Sequence, residues 1–263
     1  MYVPSESHLA LSMLWYLIKL PFLLIASIFS EHARHDLLEP LDKIVHFLLT
    51  APFTLSLALV CFLSSLYGFW LSYNGQDALF QSLMWQPSLL LGWHPVALFA
   101  HLFLHASIAH LLGNLLFLLV FGRVVERNIG WRVILVFLLA GVFASLSYSA
   151  IHLALGGSGY LLGASGAIMG LVATAILFEP FYISFVLILP LPIMAIGLLQ
   201  LFTDALGVLT PTDNIAHLAH IMGFASVTLV VWLLARERKK LLKGLLVNVA
   251  AVVALLVWWF VSG

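Results

Sequence analysis

Eight apolar stretches, each near the length of a bilayer-crossing helix, run through this chain close to residues 8–29, 48–73, 107–121, 131–153, 164–179, 182–206, 215–235 and 244–262. About 20 consecutive apolar residues cross a hydrocarbon core. A backbone in lipid has to satisfy its own hydrogen bonds, which selects helices or closed barrels. No stretch alternates with period two, so a β-barrel is a poor reading. The third stretch extends naturally through Val124 and Val125, and the fifth is short, bounded by Gly163 and Pro180. The first carries Lys19 and Pro21 in its middle and reads either as a span or as an interfacial segment. No Lys or Arg precedes its apolar run, which argues against a cleaved signal peptide. The expectation is an all-α polytopic membrane protein.

The charged residues agree. Only 8% of the chain is charged against 63% hydrophobic, with 11 Lys+Arg balanced by 11 Asp+Glu and a mean hydropathy of +1.13. A soluble enzyme, a disordered chain and a nucleic-acid binder with a basic surface are excluded by these values. A single cysteine, Cys61, excludes a disulfide framework and cysteine-based metal sites. Arg34 and Lys43 follow the first stretch, Arg123, Arg127 and Arg132 the third, and Arg236, Arg238, Lys239, Lys240 and Lys243 the seventh. Alternating loops put all ten on one side, the cytoplasmic one by the positive-inside rule. The opposite side receives Asp77, Asp204 and Asp213. If all eight stretches cross, both termini lie outside. The long outer loop, roughly 74–100, is broken by Pro87 and Pro95 beside Trp85 and Trp93, and reads as a half-embedded interfacial segment.

Ionisable groups within spans point to function. Three clusters begin helices on the outer side. In HLFLHASIAHLLGN, a break at Ala106-Ser107 lets Ser107 cap a new helix. His110 and Asn114, four apart, then share one face near its outer end beside Gly113. His101 and His105 precede the helix and brace the loop or satisfy buried hydrogen bonds. In GASGAIMG, Gly163 to Gly170, Ser165 stands at a helix start between glycines, and Gly166 and Gly170 have the spacing of a close-packing face. Taken alone, that motif is packing at least as often as chemistry. In AHLAHIMGF, Ala216 to Phe224, Ala219 and Gly223 form a small face that suits Gly166 and Gly170. Packing of those faces brings His220 against Ser165, with His217 on the same side. A serine needs a general base, which His220 supplies. An oxyanion needs donors, available from His110, Asn114 and the N–H of Ser165. Asp213 is seven residues before His220 and Glu179 lies at the other membrane face, so no carboxylate is expected to orient the base, and the chemistry is a Ser–His dyad.

In this order these residues resemble the rhomboid family of intramembrane serine proteases. The resemblance rests on H-x-x-x-x-H-x-x-x-N (His105, His110, Asn114), G-x-S-G (Gly163, Ser165, Gly166) and A-H-x-x-G (Ala219, His220, Gly223). It implies a six-helix catalytic core over 48–235 with one extra hydrophobic helix at each end. The parts are an N-terminal hydrophobic segment and linker (1–47), the core, a basic cytoplasmic loop (236–243) and an additional C-terminal helix (244–263). Ser165 would be the nucleophile and His220 the base, with His110 and Asn114 helping to build the oxyanion hole. Gly163, Gly166, Gly170, Ala219, Gly223, His105 and Met169 would pack around the site. The implied reaction is peptide-bond hydrolysis in or near transmembrane segments of protein substrates, without metal or cofactor, with lipid as the other partner. The expected setting is a bacterial inner membrane with the site facing the periplasm.

The chain departs from the family pattern in three places within the core. Val96-Ala97 replaces a Trp-Arg pair in the long loop, Met169 replaces an aromatic four residues after the serine, and Val227 replaces a second glycine after Gly223. Three other functions use some of the same residues. A non-proteolytic rhomboid-like protein would bind membrane helices without cutting them. A di-iron oxidase would use His101/His105 and His217/His220 as histidine boxes, but needs many more histidines. A proton-coupled transporter would need Asp204 and Asp213 at midspan and internal repeats.

Overall fold

The structure, a computed structural model, describes residues 49–157, 159–184, 190–210, 216–234 and 238–262 and scattered positions between 15 and 45. Of residues 227–230, 232–234 and 255–262 it describes the backbone alone. The expected first stretch, 8–29, and its linker therefore lie largely outside the described residues, as do Asp213 and the Val227 side chain.

The first long helix, α1 (Pro52–Tyr73), opens on Pro at a position where a missing N–H costs nothing. Its exposed first-turn amides are met by a side chain from elsewhere. Glu126 accepts from Phe53 N at 3.1 Å, Thr54 N at 2.7 Å and the Thr54 hydroxyl at 2.6 Å. A carboxylate at a helix N-terminus is favoured by both the free donors and the dipole. The long loop that follows is built from short pieces: α2 (Asp77–Ser82), a 3₁₀ turn over Pro87–Leu91 and α3 (Pro95–Ala100). Then come α4 (Ile108–Ile129) and α5 (Arg132–Ala154).

The central helix is α6 (Ser165–Phe178). All of its residues after Ser165 are buried, and α4, α5, α7, α8 and α9 pack around it. Here α7 is Ile193–Leu209, α8 His217–Leu234 and α9 Arg238–Ser262. With 14 residues, α6 is about 21 Å long, short of a hydrocarbon core of about 30 Å. Enclosure removes the need to match the bilayer, because the ends of α6 meet protein rather than lipid.

Two expected boundaries shift. The sixth apolar stretch, taken to begin at 182, starts as a hairpin instead. Strands β1 (Ile183–Ser184) and β2 (Leu191–Pro192) pair antiparallel, and α7 begins only at Ile193. Pro190 and Pro192 break any earlier helix, although they leave the mean hydropathy high. The basic segment 236–243, expected as a loop, is largely helical, because α9 starts at Arg238. Its Lys240 donates to Asn128 Oδ1 at 2.6 Å and lies 3.7 Å from Glu179, which also pairs with Arg127. The ends of α4 and α6 and the start of α9 thus meet on one face of the bundle, and the starts of α4, α6 and α8 lie at the other.

Helices α1, α4 and α5 are long and apolar enough to cross a membrane, and α6 and α7 are shorter apolar helices. Leu59, Phe62, Leu63, Leu66 and Trp70 along α1 are exposed, as a lipid-facing side requires. The chain is a multi-pass, all-α membrane protein.

The last helix is docked rather than appended. A Cβ at Gly244 would collide with the Leu177 carbonyl, and Asn248 Nδ2 donates to the Ile176 carbonyl at 2.9 Å. Gly244→Val should therefore push α9 off α6 and destabilise the fold by about 1–3 kcal/mol, an overpacking cost. Gly113→Ala, where an added Cβ meets open space, should leave the thermal midpoint in detergent unchanged or slightly higher.

Candidate functional site

The site grows from the start of α4. Ser107 caps the helix as expected, its Oγ accepting from the His110 amide at 3.1 Å. His110 and Asn114 then lie one turn apart, and Asn114 Nδ2 donates to the His110 carbonyl at 2.8 Å. The His110 ring rests on Gly163. A Cβ there would come within 2.7 Å of Cε1 and 2.9 Å of Nε2, and φ is +122°, a region L side chains rarely adopt. Glycine is the residue this position accepts.

The two residues before Ser165 are held by the loop that precedes α4. The Gly163 amide donates to the His101 carbonyl at 2.8 Å, and the Ala164 amide donates to His105 Nε2 at 3.4 Å. If Nε2 accepts, the His105 proton sits on Nδ1. That nitrogen lies 2.9 Å from Ser65 Oγ, which in turn donates to the Phe103 carbonyl at 3.2 Å. His101 is held likewise, with Nδ1 donating to the Ala97 carbonyl and Nε2 facing Ser145 Oγ, each at 2.8 Å. Burial pushes the pKa of both loop histidines down to about 4, helped at His105 by the neighbouring His110. Both are neutral braces, as their position before the helix suggested.

Trp85 completes the brace. It was expected at the membrane interface, yet it is only 2% exposed, whereas Trp93 is 88% exposed. Its backbone bridges Leu161, and its Nε1–H donates to Ser149 Oγ at 2.8 Å. A buried indole needs an acceptor, and Ser149 on α5 supplies it. Trp85 and His101 therefore tie the long loop to α5 and to the strand of chain leading into Ser165, a task for which Val96-Ala97 has no suitable groups.

Ser165 is the half-buried first residue of α6. The helix packs against α8 by small faces, as expected. A Cβ at Gly223 would collide with the Gly166 carbonyl, and one at Gly166 would sit 3.6 Å from the Ala219 carbonyl. Gly170 is buried one turn deeper, its carbonyl accepting the Thr174 hydroxyl at 2.8 Å. His220, the fourth residue of α8, is 8% exposed. Met169 lies in the apolar core.

One expectation is overturned here. His220 does have a carboxylate partner. Asp204, fully buried on α7, accepts at Oδ1 from His220 Nδ1 and from His217 Nδ1, both at 2.8 Å. Gln200 Nε2 donates to its other oxygen at 3.2 Å. A carboxylate only accepts, so both imidazoles carry hydrogen on Nδ1. The sequence signal was present. Asp204 sits five residues before the outer end of α7, and His220 three residues into α8, so antiparallel neighbours bring the two to one depth.

Among the described residues, Asp204, His217 and His220 also form a group whose ligand atoms lie within 4.8 Å of one another. A tetrahedral zinc with bonds of about 2.0–2.1 Å holds its ligands about 3.4 Å apart. The observed separations of 2.8 Å are those of hydrogen bonds.

The rhomboid domain family model matches residues 92–237. The chain belongs to the rhomboid family. It is 30% identical over 155 residues to RHOMBOID-like protein 12, mitochondrial, of Arabidopsis thaliana, covering 52% of this chain and 45% of that one. It is 31% identical over 179 residues to Inactive rhomboid protein 2 of Homo sapiens, covering 62% of this chain and 20% of that one. The chain thus spans less than half the length of either relative. Neither is bacterial and one carries a mitochondrial name, so the comparisons lend no support to the expected bacterial inner membrane.

Two outcomes follow from the brace. Trp85→Phe should cost about 1 kcal/mol, the net worth of one buried hydrogen bond, in detergent unfolding. His101 and His105 are neutral when folded and titrate near 6.5 when unfolded, so acidification from pH 6.5 towards 4 should progressively lower the unfolding midpoint. The double variant His101→Gln/His105→Gln should show a flatter pH profile.

Proposed function

We propose that this rhomboid protein is an intramembrane serine protease, with Ser165 as nucleophile and His220 as general base. The observation that supports this most is the contact of α6 with α8 through Gly166, Ala219 and Gly223. It sets the first residue of one helix beside the first turn of the other, with His110 against Gly163 on the third side.

In this reading, Ser165 Oγ attacks the scissile carbonyl and its proton passes to His220 Nε2, the nitrogen left unprotonated when Nδ1 carries the hydrogen. The negative oxygen is received by the Ser165 amide, by His110 and by the second N–H of the Asn114 side chain. His220 then protonates the leaving nitrogen as the C–N bond breaks. Water attacks the acyl-enzyme through the same base and frees Ser165. Substrates are membrane proteins whose transmembrane helix unwinds near the cut, because an intact helix hides its carbonyls. The site lies at the bundle end opposite Arg127, Lys240 and Glu179, and so faces away from the cytoplasm.

A second reading is favoured by one comparison, the relative named an inactive rhomboid. It makes this chain a membrane-helix-binding protein without protease activity. The presence of both Ser165 and His220 speaks for the first reading.

Fluorophosphonate labelling of the purified protein, paired with cleavage of a transmembrane substrate in liposomes, separates the two. Ser165→Ala and His220→Ala should each abolish cleavage with the fold intact. Asn114→Ala should cost on the order of 10²–10³ in kcat, the effect of one oxyanion donor. A folded wild type that neither labels nor cleaves gives the helix-binding reading the case.

A further inference from the structure

A buried charge is expensive unless its surroundings satisfy it. Asp204 is fully buried on α7, a helix whose first turns are apolar, and it meets three donors: His217 Nδ1 and His220 Nδ1 at one oxygen, Gln200 Nε2 at the other. The arrangement fixes the carboxylate from two sides, with Gln200 one turn back on its own helix and His217 one turn from His220 on the next. The two imidazoles are nearly perpendicular, at 80°, with centroids 6.2 Å apart. They approach one oxygen from different directions rather than stacking.

We infer that Asp204 is a positioning residue for His220 that turns the Ser–His pair of this chain into a three-part relay, with His217 and Gln200 holding the carboxylate in place. The inference rests on the protease reading. A neutral imidazole has two tautomers, and only the one with hydrogen on Nδ1 leaves Nε2 able to take a proton from serine. The acceptor at Nδ1 selects that tautomer and fixes the ring plane. When His220 becomes positively charged, the carboxylate is already in position beside it, so no group has to reorganise during the step.

Kinetics of Asp204→Asn, at matched folded fraction, provide the test. Loss of tautomer control should lower kcat on the order of 10²- to 10⁴-fold while KM stays within about twofold. A merely structural Asp204 would lower the folded fraction and leave kcat per folded molecule intact, and that result overturns the inference. A second measurement needs no Asp204 variant. In ¹⁵N-histidine NMR of the wild type, with His220 assigned by comparison with His220→Gln, the proton should sit on Nδ1. A proton on Nε2 overturns the assignment even if Asp204→Asn fails to fold. If the wild type cleaves nothing, the protease reading falls on its own account, and the tautomer of His220 decides the Asp204 assignment separately.

Discussion

The close approach of α6 and α8 is the contact on which the rest depends. Two helices can bring their backbones this near only where side chains are absent or minimal. Gly166, Ala219 and Gly223 provide that face, and a methyl at Gly223 would strike the Gly166 carbonyl. Every other feature of the site assumes this geometry. Ser165 is one residue from the contact and His220 is one residue from Ala219. Moving either helix by the thickness of a side chain would break this contact.

The approach is maintained by the surroundings of a helix too short to cross a bilayer on its own. Because α6 is enclosed, its lower end is anchored by protein: Asn248 and Gly244 from α9 reach the carbonyls of its last turn. Its upper end is anchored by the loop, where consecutive amides of Gly163 and Ala164 go to His101 and His105. A cluster of Arg127, Glu179, Asn128 and Lys240 draws together the ends of α4 and α6 and the start of α9. The same basic residues that signal orientation in the sequence thus also close the base of the bundle.

Polar residues in such an apolar chain fall into two kinds. Glu126, Trp85, His101 and His105 join elements, each satisfied by a helix end or a hydroxyl. Asp204, His217 and His220 join one another across two helices at the depth of Ser165. The first kind stabilises the fold, and the second arranges hydrogen on particular ring nitrogens. Gln200 extends the second kind, since its amide, one turn from Asp204 on the same helix, donates to the carboxylate oxygen that the imidazoles leave free.

Much was legible without coordinates. Long apolar runs force helices, alternating basic gaps force an orientation, and Ser107 marks a helix start because its side chain can take an orphan amide. Small residues at four-residue spacing announced which faces of α6 and α8 meet. Hydropathy misjudged 182–192, because a proline-broken hairpin is as apolar as a helix, and it starts the last helix too late, at 244 rather than Arg238, because basic residues in a first helical turn look like a loop. Trp85 reads as interfacial in the sequence because its burial depends on Ser149, 64 residues away. The partnership of Asp204 with His220 is of the same kind. The sequence determined that a carboxylate and an imidazole would lie at similar depth on consecutive helices. Only the rotation of α7 about its axis, decided by how its side chains pack, turned Asp204 inward to meet His220.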